Sequence, residues 1–392
     1  MRILLAHSQH SARGGADKVM EQEQELLREA GHEARQYVAA DAGSTGQPAW
    51  RQAADAVWNN AAYRALRQEI RSFRPDVLHV HTPFPVLSPA AFRAASAEGI
   101  PAVTTVHSYR YSCIAGTLRR DGRICEDCVG SQWKTSGLRH GCYHGRAASA
   151  AMTTSLVLHH RSGTFKNDVS RFLTLTEFAR AVLVRDGIPA DRVVVKPNFV
   201  EDPGHPVDYA RRDPIALFAG RLVPEKGITT LLEAWRGARG SGARLVIVGD
   251  GPLREVVERA AGDDPSIDFR GWQTPEEVGA LQARSRLTVV CSEWYEGQPL
   301  VLLDALAHGT PLVVSDLDNL SSSVLAAGAG LSFRTGDPGS LGEALSAVLG
   351  DPGHAAAMGS RARDLYLRAH TPSAILADLE RIYGEVIAES HP

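Results

Sequence analysis

Short apolar, β-branched runs alternate along this chain with stretches of helical period. The runs predict strands at Arg2–Ala6, Val77–His81, Ala102–Val106 and Phe172–Leu175, then at Ile215–Ala219, Arg244–Val248, Ile267–Arg270, Leu287–Cys291 and Leu312–Val314. The stretches between them predict helices, among them Lys18–Glu29, Leu231–Arg236, Leu253–Ala261 and Leu300–Ala307. Strands that are apolar at every position, separated by helices, belong to parallel sheets covered on both faces. The pattern therefore predicts an α/β protein.

The alternation breaks at Asn198–Pro214, which holds three prolines, several charges and no periodicity, as a linker does. Two Rossmann-like domains follow, at residues 1–203 and 204–374. A last periodic stretch, Ile375–Ile387, starts after a Thr-Pro signal and predicts a helix within residues 375–392 that packs back on the first domain.

Composition narrows the class. The chain has 392 residues, 44% hydrophobic and 22% charged, with a formal net charge of −3. These values fit a globular protein of two domains and provide no global field for nucleic acid. No window approaches the roughly 18 apolar residues of a membrane helix. The apolar part of the N-terminus is too short for a secretory signal. The expected location is the cytoplasm, with peripheral contact at the inner membrane face left open.

Ligands of open parallel sheets sit beyond the carboxyl ends of the strands, and the polar motifs lie there. Gly14-Gly15 follows the first strand, His107 the Ala102–Val106 strand and Arg221 the first strand of the second half. Gly249-Asp250-Gly251-Pro252 follows Arg244–Val248, and Glu296 follows Leu287–Cys291. These loops are expected to converge on a cleft faced by the two domains. Arg221 and Lys226 offer a planar fork and a point charge for a diphosphate. Glu296 offers a carboxylate for sugar hydroxyls, or alternatively complements a helix dipole. Backbone amides at Gly14 and Gly15 suit a phosphate, though a plain turn also explains the pair. His79 and His81 read as fold residues. No Gly-x-Gly-x-x-Gly follows the first strand, which argues against a dinucleotide oxidoreductase.

In order and spacing these pieces resemble the large retaining glycosyltransferase family 4, whose fold is GT-B. The resemblance runs from Gly14-Gly15-Ala-Asp-Lys and Gly31-His32 through Pro75-Asp-Val-Leu-His-Val-His81, Val106-His107 and Lys196-Pro-Asn198. It continues through Gly220-Arg221…Lys226-Gly227, Val248-Gly-Asp-Gly-Pro252 and the acidic region Glu296-Gly297-Gln298-Pro299-Leu300…Asp304. It implies catalytic roles for His107, Arg221, Lys226 and Glu296. It places Gly14, Gly15, Asn198, Gly220, Gly249, Asp250, Gly251, Pro252, Trp272, Gly297, Gln298, Pro299, Leu300 and Asp304 at the donor. Trp272 either covers the base or packs. The family usually has glutamate where this chain has Asp304, one methylene shorter, so a direct ribose contact there needs a nearer backbone or a bridging water.

The resemblance implies transfer of a sugar from a UDP- or GDP-sugar to a hydroxyl of a saccharide, lipid-linked sugar or natural product. Attack and departure share one face, and no cofactor is required. Two other readings use the same residues: a phosphorylase taking inorganic phosphate, and a nucleotide-sugar binding protein without turnover.

An insertion at residues 112–146 carries Cys113-x11-Cys125-x2-Cys128-x13-Cys142. In a reducing compartment such a set suits a structural zinc site; disulfide or redox pairing and unlinked thiols are the alternatives. The insertion is expected to form part of the acceptor wall.

Overall fold

A computed structural model of the protein describes residues 1–8, 14–39, 47–237 and 242–390. The chain forms two compact units, residues 1–198 with 375–392, and residues 199–374.

The first unit is built on β1 (Arg2–Ser8), β2 (Glu33–Ala39), β3 (Val77–Thr82) and β4 (Ala102–Val106). A two-stranded hairpin, β5 (Arg119–Arg120) and β6 (Arg123–Ile124), precedes β7 (Arg171–Thr174) and β8 (Val193–Val195). Six strands form one parallel sheet in the order β2-β1-β3-β4-β7-β8. Its central strands are buried on both faces, which explains their unbroken apolar runs. Leu4, Leu66, Phe73, Phe84, Phe92 and Phe172 anchor the core. β2 and β8 are edge strands that the pattern did not predict: β2 alternates exposed and covered residues, and β8, though all valine, is three residues long.

The final helix, Pro372–Ser390, belongs to this unit. It buries Ile375, Leu379, Ile382, Tyr383 and Val386. The Tyr383 hydroxyl lies 2.7 Å from His79 Nδ1.

The second unit holds β9 (Asp213–Ala219), β10 (Arg244–Val248), β11 (Ile267–Phe269), β12 (Ser285–Val290), β13 (Leu312–Ser315) and β14 (Gly330–Phe333). All pair in parallel, in the order β11-β10-β9-β12-β13-β14. Trp235, Leu231, Leu245 and Leu345 fill one side, and Leu303, Leu306, Leu320 and Tyr366 the other. β14 carries no apolar run and opens on Gly330. A Cβ there would stand 2.1 Å from the Leu312 carbonyl oxygen, so glycine is what lets this strand dock.

The junction between the units lies at 198/199, a few residues before the position the composition suggested. Phe199 and Val200 are buried in the second unit, and the Tyr366 hydroxyl donates to the Val200 carbonyl at 3.0 Å. Residues 201–208 are exposed, and β9 begins at Asp213.

Candidate functional site

In the second unit the connections from β9 run outward through β10 and β11, and then return to β12 on the other side of β9. The strand order therefore reverses between β9 and β12, where open α/β sheets bind ligands at the carboxyl ends of their strands. The loop after β9 carries Gly220, Arg221 and Lys226, and the loop after β12 carries Ser292, Glu293 and Glu296.

These two loops are bonded together. The Glu293 N–H donates to the Glu225 carbonyl at 2.8 Å, and the Cys291 thiol donates to the Lys226 carbonyl at 3.2 Å. Gly227, with φ of 68°, makes that approach possible: a Cβ would lie 1.9 Å from the Cys291 carbonyl oxygen. Lys226 Nζ then meets Glu296 Oε2 at 2.6 Å. Ser292 Oγ–H donates to the other oxygen of Glu296, and Asn319 Nδ2 donates to its backbone carbonyl at 2.6 Å. Arg221 is exposed, and its guanidinium has no ion pair among the described residues. A fixed carboxylate, a paired ammonium and an open guanidinium thus gather at one strand reversal.

A third loop joins them. The Leu222 N–H donates to the Asp250 carbonyl at 2.8 Å, and the Gly220 N–H to the Val248 carbonyl at 3.0 Å. Gly249 has φ of 141°, and a Cβ on it would fall 1.8 Å from the Gly220 carbonyl oxygen. Its backbone can approach only as glycine. Asp250 and Pro252 are exposed and Gly251 is partly covered, so this loop is open to a ligand. Trp272 is 67% exposed, which leaves its packing role without support. Gly297 and Gln298 are half-covered, Pro299 is buried, and Leu300 opens the helix Leu300–Ala307. Asp304 sits on that helix, half-buried. It is near enough to help raise the pKa of Tyr366, after burial of that phenol.

In the first unit Gly14 caps the helix Gly15–Glu29, but its N–H is already given to Asp17 Oδ2 at 2.8 Å. Asp17 also lies 2.9 Å from His7 Nε2. Burial opposes its ionisation, yet the Gly14 amide and His7 hold its pKa below the usual carboxylate range. A phosphate at this turn would find the Gly14 amide taken and a carboxylate in the first helical turn; the turn reading fits Gly14 better. Gly15 is exposed. Asn198 is buried at the end of this unit.

His107, half-buried after β4, rests on a cluster that the sequence did not reveal. Its Nε2 is 3.0 Å from His81 Nδ1, and the rings stack at 5.2 Å. His79 and His81 are two apart on β3 and so share one face, with ring centroids 4.3 Å apart. His81 is more than a fold residue, because it is the partner of His107. Glu23 comes down from the helix above, with Oε2 3.4 Å from His81 Nε2 and 3.8 Å from His79 Nδ1. Lys196, fully buried after β8, pairs with Glu23 Oε1. Burial raises the Glu23 pKa, but the Lys196 ammonium overrides it and keeps the carboxylate ionised. Burial holds His79 and His81 well below their ordinary values and pushes His107 down to about 3. The ionised Glu23 favours the proton on His81 Nε2, which makes Nδ1 an acceptor and His107 Nε2 the donor. His107 Nδ1 then keeps its lone pair.

Among the described residues, Glu23, His79 and His81 form the group whose potential ligand atoms all lie within 4.8 Å of one another. The Lys196 ammonium already occupies the cation position on Glu23. No described helix is long and apolar enough to cross a membrane.

Residues 13–202 match Glycosyltransferase Family 4, and residues 207–365 match Glycosyl transferases group 1. The chain is 29% identical over 296 residues to glycogen synthase of Mycobacterium tuberculosis, covering 72% of this chain and 62% of that protein, less than two thirds of its length. It is 27% identical to the phosphatidyl-myo-inositol mannosyltransferase of Mycolicibacterium smegmatis, over 95% of this chain and 90% of that one. Among solved structures, Anabaena HepE in complex with UDP-glucose superposes with a TM-score of 0.69 at 15% identity, covering 98% of this chain and 100% of that one. The two matched segments together take in most of the sequence, and the chain belongs to glycosyltransferase family 4, with the GT-B fold.

Proposed function

We propose that this protein moves a sugar from a nucleoside-diphosphate sugar to a hydroxyl acceptor with retention of configuration. The observation that carries the reading is the ion pair of Lys226 with Glu296 where the strand order reverses, on the loop that also carries the exposed Arg221. In this proposal the second unit, residues 199–374, takes the donor, and the first, residues 1–198 with 375–392, takes the acceptor. Arg221 and Lys226 hold the diphosphate and stabilise the charge that builds on it as the glycosidic bond breaks. Glu296, oriented by Ser292 and Asn319, accepts from hydroxyls of the transferred sugar. The Gly249-Asp250-Gly251-Pro252 loop and Trp272 border the base, and Asp304 reaches toward the ribose. His107, neutral and with Nδ1 as acceptor, takes a sugar hydroxyl near the reacting carbon. A donor phosphate oxygen receives the acceptor proton, and the acceptor oxygen attacks from the face the diphosphate leaves. A relative solved with UDP-glucose supports a uridine donor, and one named for mannosyl transfer to phosphatidyl-myo-inositol supports a lipid-linked acceptor at a membrane surface.

The test is release of nucleoside diphosphate from a panel of uridine and guanosine diphosphate sugars, with hydroxyl acceptors, with inorganic phosphate and with water. The proposal expects release with at least one donor, and a product whose anomeric configuration by NMR matches the donor. Sugar 1-phosphate formed only with inorganic phosphate would make the protein a phosphorylase. Binding with no release would make it a nucleotide-sugar binding protein.

A further inference from the structure

Cys113, Cys125, Cys128 and Cys142 come from four separate places in the insertion and line one small cavity of about 10 Å³, together with Ile114, Arg119 and Arg120. No two of them are joined. Local geometry explains how they gather. Asp121 and Gly122 both have positive φ, 50° and 77°, and turn the β5–β6 hairpin as an Asp-Gly pair does. The Cys125 N–H continues that ladder to the Leu118 carbonyl at 2.8 Å. The Cys125-Glu-Asp-Cys128 turn follows, closed by the Val129 N–H on the Glu126 carbonyl at 2.8 Å. A helix, Thr135–His140, then returns the chain, and the Cys142 N–H donates to the Gly137 carbonyl at 3.1 Å. Gly137 sits so close to Ile114 that a Cβ would lie 2.4 Å from Ile114 Cδ1.

This region is tied to the rest by polar contacts, such as the buried Lys134–Asp186 pair and Arg185–Glu126, and has little apolar core of its own. From Ala115 to Ala148, Leu118 is the only aliphatic side chain that is fully buried. A two-stranded hairpin without an apolar face is marginal in water, and segments of this kind use metals or disulfides as staples. Cys113 and Cys128 are buried while Cys125 and Cys142 are partly covered. The Gly137 N–H is bonded to the Cys128 sulfur. Four sulfurs thus face one void. The void matches the space of about one small sphere, and Arg119 and Arg120 at its wall offset the surplus charge of four thiolates on a dication.

We propose that Cys113, Cys125, Cys128 and Cys142 bind one zinc ion as thiolates, closing the insertion around it. Binding takes the four sulfurs as thiolates and releases their protons to solvent. The Tyr109 carbonyl accepts from the Cys113 N–H at 2.7 Å, two residues after His107. The ion thus steadies the turn that follows His107, and it does so whether or not the transfer reaction proposed above is correct.

The experiment is elemental analysis of the full chain purified in reducing buffer without chelator or added metal, with thiol titration and limited trypsin digestion. The expected result is about one zinc per chain, released as mercurial reagent titrates the thiols. Adding a strong chelator should then expose Arg119, Arg120 and Arg123 to trypsin. Cys128→Ser should lose the zinc, and metal analysis of the wild type decides the matter even if that variant fails to fold. Less than about a tenth of an equivalent of zinc with freely reactive thiols, a native mass showing disulfides, or a brown protein with iron and acid-labile sulfide would each overturn the proposal.

Discussion

Replacing Lys196 with methionine removes the ammonium beneath the histidine cluster and leaves Glu23 buried without its cation. Both side chains are 0% exposed, so water cannot take over from the lost partner. The nearest other groups are His81 and His79, at 3.4 and 3.8 Å, and both are held neutral by burial. Stripping one partner from such a pair costs about 3–5 kcal/mol. For a unit of just over 200 residues that is a fall in Tm of roughly 6–20 °C. The double variant Glu23→Gln/Lys196→Met removes both charges and should recover at least about 2 kcal/mol of the single variant's loss. Calorimetry and urea unfolding of the wild type, both single variants and the double measure the cycle. A loss below about 1 kcal/mol in Lys196→Met, or no recovery in the double, would refute a buried, mutually dependent pair.

Acid should destabilise the first unit early. The native pKa values of His79, His81 and His107 lie below the unfolded value of about 6.5. The unfolded chain therefore takes up protons first, and stability falls as pH drops below about 6.5, by up to about 1.4 kcal/mol per pH unit for each histidine. Urea midpoints between pH 7.5 and 5.5 measure this, and a flat profile contradicts it. Gly249→Ala must push aside the Gly220 carbonyl, so it should lower donor affinity at least tenfold, read by calorimetry. Asn319→Ala frees the Glu296 backbone, and should lower kcat about tenfold while KM changes little. An unchanged kcat removes Asn319 from the account.

Much of the frame was legible in the sequence because central parallel strands must be apolar on both faces. Ala102–Val106 and Arg244–Val248 appear where the pattern put them. Of the edge strands Ile267–Phe269 was legible, whereas β2 is half polar and β14 begins with a glycine that gives backbone clearance. In the second unit, the motif spacing brought Lys226 and Glu296 to one place, which the ion pair records. Asn319 carried no signal, as it reaches Glu296 from a later helix to hold a backbone carbonyl. The cluster below His107 was hidden for a similar reason: Glu23 and Lys196 stand 173 residues apart, and only the packing of helix on sheet joins them. The Gly14 amide looked free in sequence, and it is Asp17, three residues on, that takes it.

Calorimetric titration of the wild type, Arg221→Ala, Lys226→Ala and the double variant with UDP, GDP and their sugars addresses the diphosphate clamp directly. Charge-assisted contacts of this kind contribute about 1.5–3 kcal/mol each. At least one nucleotide should therefore bind the wild type saturably, each single variant should bind it at least tenfold more weakly, and the double more weakly still. A wild type that binds none of them, or an affinity that survives loss of both cations, would contradict the account.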